Sequence, residues 1–213
     1  MSADTIRTTQ QADFRSLMSQ LGVNREILLA QPATVCIIGI GLSFGERALF
    51  GDYTDDGVWL PRSNVQGIWA CDENDYFNLV PDSSAYAKLH RLGLSVTSVQ
   101  SFIPEIQESS PMQLCHAPFG QAVRAIQKPF FDIVTFCRIP NLVSQLRVTD
   151  FWHTLSRVVK PGGYFITTGS MDGSEMVAPP NWQVVVQKEL PHSDPTLIDN
   201  RGYVLQKKTN LGG

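Results

Sequence analysis

The sequence predicts an α/β fold in which a mostly parallel sheet is covered by helices on both faces. Short apolar runs alternate with stretches of helical periodicity through most of the 213 residues. Strands that alternate with helices form parallel sheets through crossover connections. The last two apolar runs, residues 182–190 and 201–207, have no helical pattern between them. Because strands joined without a crossover helix lie antiparallel, we expect seven strands, with residues 201–207 antiparallel between the fifth and sixth.

The remaining elements follow from periodicity and from helix-breaking residues. Phe14, Leu17, Met18 and Leu21 have helical spacing and predict a first helix that ends near Gly22. Further helices are expected at residues 46–50, from residue 82 or 83 to residue 93, and at residues 120–128. The strands before the final pair are predicted at residues 34–40, 65–71, 94–99, 131–137 and 164–168. The continuously apolar run at residues 34–40 is typical of a strand covered on both faces.

The segment from residue 150 to residue 169 gives the strongest local signal. Five apolar residues between positions 151 and 159 share one helical face, and Asp150 is a good N-cap. Pro161 cannot continue the helix, and Gly162 and Gly163 allow a turn with positive φ. A helix, a Lys-Pro-Gly-Gly turn and a buried strand are therefore expected in that order.

Length and composition are those of one compact α/β unit. Hydrophobic residues make up 43% of the chain and charged residues 17%, which is ordinary for a soluble globular protein. We divide the chain into an N-terminal helical segment, residues 1–33, and an α/β domain, residues 34–213.

Charge and hydropathy limit the partners that the sequence predicts. The net charge of −3 is mild, and no stretch carries a basic run. Because stable binding to a nucleic-acid backbone needs a clustered cationic face, we expect no nucleic-acid partner. The chain has no apolar run of the ~18 residues that a membrane-spanning helix needs and begins without a signal-peptide pattern. We expect no membrane partner, and the oligomeric state is not predicted.

The cysteines and histidines predict neither a disulfide framework nor a metal site. Cys36, Cys71, Cys115 and Cys137 show no C-x-x-C spacing. Three of them lie in or at the end of apolar runs, where buried thiols are common. A reducing cytoplasm is the expected location. The four histidines have no metal-ligand spacing with the acids.

Several motifs occur in an order that resembles a known family. Residues 35–41 form an apolar run that ends in G-x-G, followed by Leu-Ser-Phe-Gly-Glu-Arg-Ala-Leu. Asp72 closes the run Ile-Trp-Ala-Cys-Asp, and Cys137 closes Phe-Asp-Ile-Val-Thr-Phe-Cys. With the later Arg-Val-Val-Lys-Pro-Gly-Gly-Tyr-Phe-Ile-Thr-Thr, this order resembles class I S-adenosylmethionine-dependent methyltransferases from about residue 34 to residue 207. The resemblance implies a Rossmann-like, seven-stranded, mostly parallel sheet with helices on both faces and an antiparallel terminal strand.

The resemblance also implies S-adenosylmethionine as the cofactor and a set of residues that bind it. These are Gly39, Ile40, Gly41, Gly45, Asp72, Ser101, Phe102 and Cys137. The glycines would let the backbone approach the cofactor, and Asp72 would accept hydrogen bonds from the ribose hydroxyls. Ser101 and Phe102 would contact adenine, and Cys137 would lie beside the sulfonium. The alternatives are a tight turn without a ligand, an N-cap role for Asp72, and core packing for Phe102 and Cys137.

Two departures from the family pattern concern cofactor binding. The family carries an acid two residues before the first motif glycine, where this chain has Ile37. The glycine loop is lengthened to Gly39-x-Gly41-x-x-x-Gly45, and residues 51–63 form a polar insertion. Without the acid, Glu46 or backbone carbonyls near Gly39 are the nearest candidates in sequence for the cofactor's ammonium group. We expect binding that is weaker than in relatives with the acid.

The predicted function is methyl transfer to a small molecule or a protein side chain. The fourth strand ends in Cys-Arg-Ile-Pro-Asn instead of the Asn-Pro-Pro-Tyr of amino-group methyltransferases. No catalytic residue is identified: His192 and Asp194 fit a proton-accepting pair or an exposed turn. A non-catalytic methyltransferase-like domain is the first alternative. A nicotinamide-dependent oxidoreductase is the second, although the G-x-G-x-x-G spacing is absent.

Overall fold

The computed structural model describes residues 14–39, 46–55, 59–72, 112–139, 146–147, 149–170, 176–190 and 200–209. Helix α1 covers residues 14–21, and the later helices are α2 (Arg25–Leu28), α3 (Arg47–Phe50), α4 (Phe119–Ala122) and α5 (Thr149–Val158). The strands are β1 (Ala33–Ile38), β2 (Gly51–Tyr53), β3 (Trp59–Pro61), β4 (Val65–Asp72), β5 (Met112–His116), β6 (Phe131–Ile139), β7 (Val159–Ser170), β8 (Trp182–Glu189) and β9 (Asn200–Lys207). Within these ranges, none of the helices has the length and apolar character needed to cross a membrane.

Seven of the described strands form one sheet, in the order β5–β4–β1–β6–β7–β9–β8. Neighbouring strands from β5 through β7 pair in parallel. Strand β9 pairs antiparallel with both β7 and β8. The predicted antiparallel position of residues 201–207 is therefore confirmed, and with it the predicted fold class.

The helices cover the sheet in two layers, each with its own apolar core. On one face, Phe14 and Met18 of α1 and Phe50 of α3 join Val35 and Ile37 of β1 in a buried cluster. On the other face, Leu155 and Val158 of α5 pack with Val134 and Phe165 of the sheet. Helix α5 thus buries the apolar face predicted from its sequence.

The strand beside β4 differs from the one predicted. It is β5, Met112–His116, a segment that the sequence analysis left outside the predicted strands. The predicted third strand, residues 94–99, lies outside the described residues. Helix α4 is also shorter than the predicted helix over residues 120–128. The guanidinium of Arg157 donates to the carbonyls of Val123 and Ile126, which a longer α4 would use for its own hydrogen bonds.

The Lys-Pro-Gly-Gly segment lies inside β7 instead of preceding the strand. Phe131 pairs with Val159 and Ile133 with Tyr164, so residues 160–163 bulge out of the ladder. Gly162 has the expected positive φ of 80°. Lys160 Nζ lies 3.0 Å and 2.8 Å from the two carboxylate oxygens of Asp132. The bulge therefore brings a lysine of β7 back onto β6.

The predicted polar insertion contains a small second sheet. Strands β2 and β3 pair antiparallel, and Trp59 of β3 is buried against the core that contains α1 and α3. The insertion therefore completes one of the two layers that cover the large sheet.

Candidate functional site

The carboxyl ends of the parallel strands form one edge of the sheet, which we call the carboxyl edge. Ligands of open α/β sheets bind at this edge, where strand order reverses. Here the reversal lies between β1, which is followed in sequence by β4 on one side, and β6 on the other. The residues at this edge include Gly39, Asp72 and His116. The structure thus brings the first predicted glycine and the predicted acid to adjacent strand ends.

Gly39 follows β1 in a conformation that favours glycine. Its φ is 70°, in the left-handed region where a Cβ atom is disfavoured. Its N–H donates to the carbonyl oxygen of Cys71 at 2.8 Å, which ties the turn after β1 to the end of β4. Ile40, Gly41 and Gly45 lie outside the described residues. The start of the glycine loop therefore has the predicted turn, and the predicted contacts of the other three residues remain predictions.

Asp72 is the last residue of β4 and is 7% exposed. A carboxylate at the end of a parallel strand can accept two hydroxyl hydrogen bonds, as the predicted ribose contact requires. Its burial means that any substitution changes packing as well as ligand binding. The informative substitution is therefore Asp72→Asn, which keeps nearly the same side-chain shape, and not Asp72→Ala.

The neighbour of Asp72 across β4 and β5 was not among the predicted site residues. His116 of β5 is the register partner of Asp72 and is exposed, and Ala117 follows it. Ser101 and Phe102 were predicted to contact adenine because they follow residues 94–99. Both lie outside the described residues, and the strand next to β4 ends at His116.

Ile37 lies in the apolar interior, not at the edge. Its side chain is fully buried, and its register partners are Ala70 of β4 and Thr135 of β6. Glu46, a predicted substitute for the missing acid, is 4% exposed and directly precedes α3. Arg47 beside it is 1% exposed. Two opposite charges are therefore buried just after the glycine loop.

Three of the four cysteines, Cys36, Cys71 and Cys137, are buried in the sheet, and Cys115 is partly buried. Cys137 is 3% exposed and its Sγ lies 3.8 Å from the carbonyl oxygen of Ile166. Strand β6 continues two residues further, to Ile139, so Cys137 does not end the strand as predicted. Burial raises the pKa of the Cys36 thiol well above its ordinary value, and a hydrogen bond with Cys71 adds to the shift. A high thiol pKa disfavours the reactive thiolate.

Histidines and acids do not form a metal site in the part of the chain that the structure describes. No group of three His, Cys, Asp or Glu side chains there is placed to hold a metal ion. His153 is exposed on α5, whereas His192 and Asp194 lie outside the described residues. The exposed position of His153 agrees with a solvated role.

Known structures share this architecture at low sequence identity. An S-adenosylmethionine-dependent methyltransferase from Aquifex aeolicus is 16% identical, with a match over 97% of this chain and 99% of that chain and a TM-score of 0.50. A ribosomal protein L11 methylase from Lactobacillus delbrueckii subsp. bulgaricus is 12% identical over 91% of this chain and 80% of that chain, also with a TM-score of 0.50. No protein-family model and no curated protein matches the chain. The chain has the class I methyltransferase fold.

The class I methyltransferase fold separates this chain from the nicotinamide-binding alternative. The dinucleotide-binding order 3-2-1-4-5-6 continues with a parallel sixth strand. Here β9 is inserted antiparallel between β7 and β8. The strand order therefore argues against the oxidoreductase reading.

The prediction that nucleic acid is not a partner is wrong. The prediction depended on the absence of a basic run in the sequence. In the class I fold, cationic segments that are distant in sequence lie together: Arg157 contacts residues 123 and 126, and Lys207 contacts residues 156 and 159.

The strand that ends at His116, β5, is the element at the carboxyl edge that the sequence analysis missed. A signal was present, because Met112 and Leu114 alternate with more polar residues between Pro111 and Pro118. The run at residues 94–99 has the stronger strand pattern in the sequence.

Proposed function

We propose that this chain is an S-adenosylmethionine-dependent methyltransferase whose acceptor is a small molecule or a protein side chain. The observation that carries the proposal is the placement of Gly39 and Asp72 at adjacent strand ends of a class I methyltransferase sheet. The proposed cytoplasmic location is supported by the four cysteines, which all lie in described strands and form no disulfide.

The described residues fit the adenosine half of the cofactor. The left-handed Gly39 has no Cβ to block a ligand from the backbone. Asp72 supplies the acceptor chemistry that two ribose hydroxyls need, and its register partner His116 is proposed to contact the base or the ribose. We also propose that the cofactor contacts the other predicted residues, which mutagenesis can test: Ile40, Gly41, Gly45, Ser101, Phe102 and Cys137.

The bound cofactor would supply a methyl group on a sulfonium, which is electrophilic without further activation. The chain's own contribution is to hold that group against an acceptor and to exclude water, and positioning of this kind can provide most of the rate enhancement. This explains why the proposal needs no identified general base.

Calorimetric titration with S-adenosylmethionine, S-adenosylhomocysteine and NAD tests the proposal. We expect the two sulfur compounds to bind and NAD not to bind. Asp72→Asn should weaken binding of S-adenosylhomocysteine by roughly 1.5–3 kcal/mol, the range for hydrogen bonds to a charged group. Asp55→Asn, at an exposed carboxylate after β2, is the matched control and should bind like the parent.

Loss of affinity in both variants, or in neither, would contradict the assignment of Asp72. Circular dichroism of each variant checks that a loss does not come from unfolding. Binding of NAD alone would favour the oxidoreductase instead.

The buried Ile37 favours the second candidate function, a methyltransferase-like domain without turnover. If the amino-acid end of the cofactor is held weakly, S-adenosylhomocysteine and methylthioadenosine should bind within about tenfold of each other, a gap of ~1.4 kcal/mol. Methyl transfer from labelled cofactor to metabolite extract, protein extract or RNA then separates an enzyme from a binding domain. RNA is included as a methyl acceptor because the sequence argument against a nucleic-acid partner was wrong.

A further inference from the structure

Six cations lie around the end of α5 and the start of β6, away from the carboxyl edge. They are Arg124, Lys128, Arg157, Lys160, Lys207 and Lys208. Three contacts show that their segments adjoin. Arg157 donates to the carbonyls of residues 123 and 126, Phe130 N donates to the carbonyl of Val158 at 2.7 Å, and Lys207 Nζ donates to the carbonyl of Val159 at 2.7 Å. We call these six residues the cationic surface.

The charge of this surface is largely uncompensated. Among the described residues, Asp132 is the carboxylate that pairs with it, through Lys160 at 2.8 Å. Arg157, Lys207 and Lys208 donate to backbone carbonyls, which orient a cation without cancelling its charge. Six cations thus lie together with one paired carboxylate, in a chain whose net charge is −3. Such an asymmetry favours an anionic partner.

An exposed aromatic residue, Phe130, is close in sequence to one of the cations. Phe130 is 40% exposed and lies two residues from Lys128 in the chain. Its ring centroid is 5.1 Å from that of Phe131 and 5.9 Å from that of Trp69, and these two contacts restrict the orientation of the ring. Cations that track phosphates beside a rigid aromatic ring are the features that bind unpaired nucleotides. A duplex offers no free base face to such a ring.

We propose that the cationic surface with Phe130 binds single-stranded nucleic acid. The surface lies at the amino ends of β6 and β7, opposite the carboxyl edge. It would therefore anchor a strand outside the methyl-transfer site. This role goes beyond the proposed methyl transfer and does not depend on it.

Fluorescence anisotropy of the full chain with a labelled single-stranded RNA of about 20 nucleotides tests the proposal without any methyl donor. We expect log K to fall with log salt by about 0.7 per phosphate contacted. The double variant Arg124→Gln, Lys128→Gln should weaken binding about tenfold and reduce that slope by about 1.4. Both side chains are exposed, and thermal unfolding checks that the variant remains folded.

Matched controls separate a local surface from general charge. The double variant Arg15→Gln, Lys188→Gln also removes two exposed cations, but outside the cationic surface: Arg15 lies in α1, and Lys188 contacts the end of that helix. This variant should keep its RNA affinity within about twofold of the parent. Phe130→Ala should weaken binding of the single strand about tenfold and leave binding of the matching duplex unchanged.

The proposal is overturned if RNA does not bind at low salt, or if both double variants lose affinity equally. It is also overturned if Phe130→Ala has no effect on the single strand, or if poly-glutamate binds as tightly as RNA, which would indicate an acidic protein partner. None of these outcomes affects titration of the methyl donor, so the two proposals fail separately.

Discussion

At the residue scale, two buried threonines on neighbouring strands differ in whether their hydroxyl has a partner. Thr135 of β6 and Thr167 of β7 are both fully buried. Thr167 Oγ1 donates to the carbonyl of Phe136 at 2.6 Å. The hydroxyl of Thr135 finds no hydrogen-bond partner among the described residues, and its register partners are Ile37 and Ile166.

This difference predicts opposite effects of the same substitution. Thr135→Val removes a buried, unsatisfied hydroxyl and should raise the free energy of unfolding by about 1 kcal/mol. Thr167→Val removes a satisfied hydroxyl and should lower it by a similar amount, about 1 kcal/mol. Each change should move the melting temperature by about 2–4 °C in a chain of this size. Thermal unfolding of both variants measures this, and the same sign for both would contradict it.

The site residues differ in how well sequence could predict them. The place of Asp72 at a strand end was predictable because it follows the apolar run at residues 65–71, whereas Gly39 lies inside the predicted strand 34–40 and the observed strand ends before it, at Ile38. The burial of Ile37 could not be predicted, because it depends on partners from β4 and β6 that are distant in sequence. The pairing of His116 with Asp72 depends likewise on which segment occupies the sheet position beside β4.

At the element scale, the bulge in β7 requires glycine at position 162 for backbone conformation and at position 163 for space. A Cβ atom on Gly163 would lie 2.8 Å from Val159 Cγ1 and 2.9 Å from the carbonyl oxygens of Asp132 and Lys160. Those carbonyls belong to the backbone and cannot easily move. At Gly162 the nearest atom would be 3.6 Å away, but φ is +80°.

We therefore expect a graded response to alanine. Gly163→Ala should destabilise the protein by about 2–3 kcal/mol, since overpacked backbone contacts must shift. Gly162→Ala should cost about 1 kcal/mol for the left-handed conformation. Gly120→Ala is the control, because nothing lies within 4 Å of the added methyl group and alanine favours helix α4. Urea unfolding of the three variants gives the order, and equal effects at positions 162 and 163 would contradict the steric argument.

Elements with strong local signals were predictable, and those set by tertiary contacts were not. Helix α5 has an apolar face in its own sequence and is followed closely by Pro-Gly-Gly. The end of α4 depends on the Arg157 side chain, which is more than 30 residues away. The bulged start of β7 depends on Lys160 reaching Asp132 of the neighbouring strand.

At the scale of the whole molecule, the fold class could be predicted because the alternation of helices and strands leaves few topologies. The helix-free connection between the last two strands was enough to place β9. Surface charge could not be predicted in the same way. The cationic surface combines three segments separated by up to 84 positions, from residue 124 to residue 208, so it leaves no run in the sequence.

A charge cluster also connects the N-terminal helices to the inserted hairpin. Asp52 of β2 lies 2.8 Å from Arg25 Nη1 of α2, 3.2 Å from Arg62 Nε and 3.5 Å from Arg15 Nη2 of α1. Together with Phe14 and Met18 in the shared core, these contacts lead us to propose that the N-terminal segment is needed for a stable fold. The boundary at residue 33 remains a prediction.

The Asp52 cluster predicts a loss of stability in acid. Burial alone would raise the pKa of Asp52, but its hydrogen bond to Arg25 and the charges of Arg25 and Arg62 outweigh burial, so the pKa lies below its ordinary value of 3.8. A carboxyl whose pKa is lowered by folding stabilises the protein above its unfolded pKa. That contribution is lost as the pH falls through the folded value. Because Asp52 is 47% exposed, its contribution should not exceed about 1 kcal/mol.

Asp52→Asn should therefore lower the melting temperature at neutral pH, and the difference from the parent should shrink steadily below about pH 4, where the parent carboxyl becomes protonated. Asp55→Asn removes an exposed carboxylate from the same insertion and should give no comparable difference. Thermal unfolding of parent and both variants across this pH range measures the effect. High salt should also reduce it, because pairs this exposed are screened. A difference that is constant with pH and salt would mean that Asp52 acts through packing, and that the hydrophobic core alone holds the N-terminal helices to the sheet.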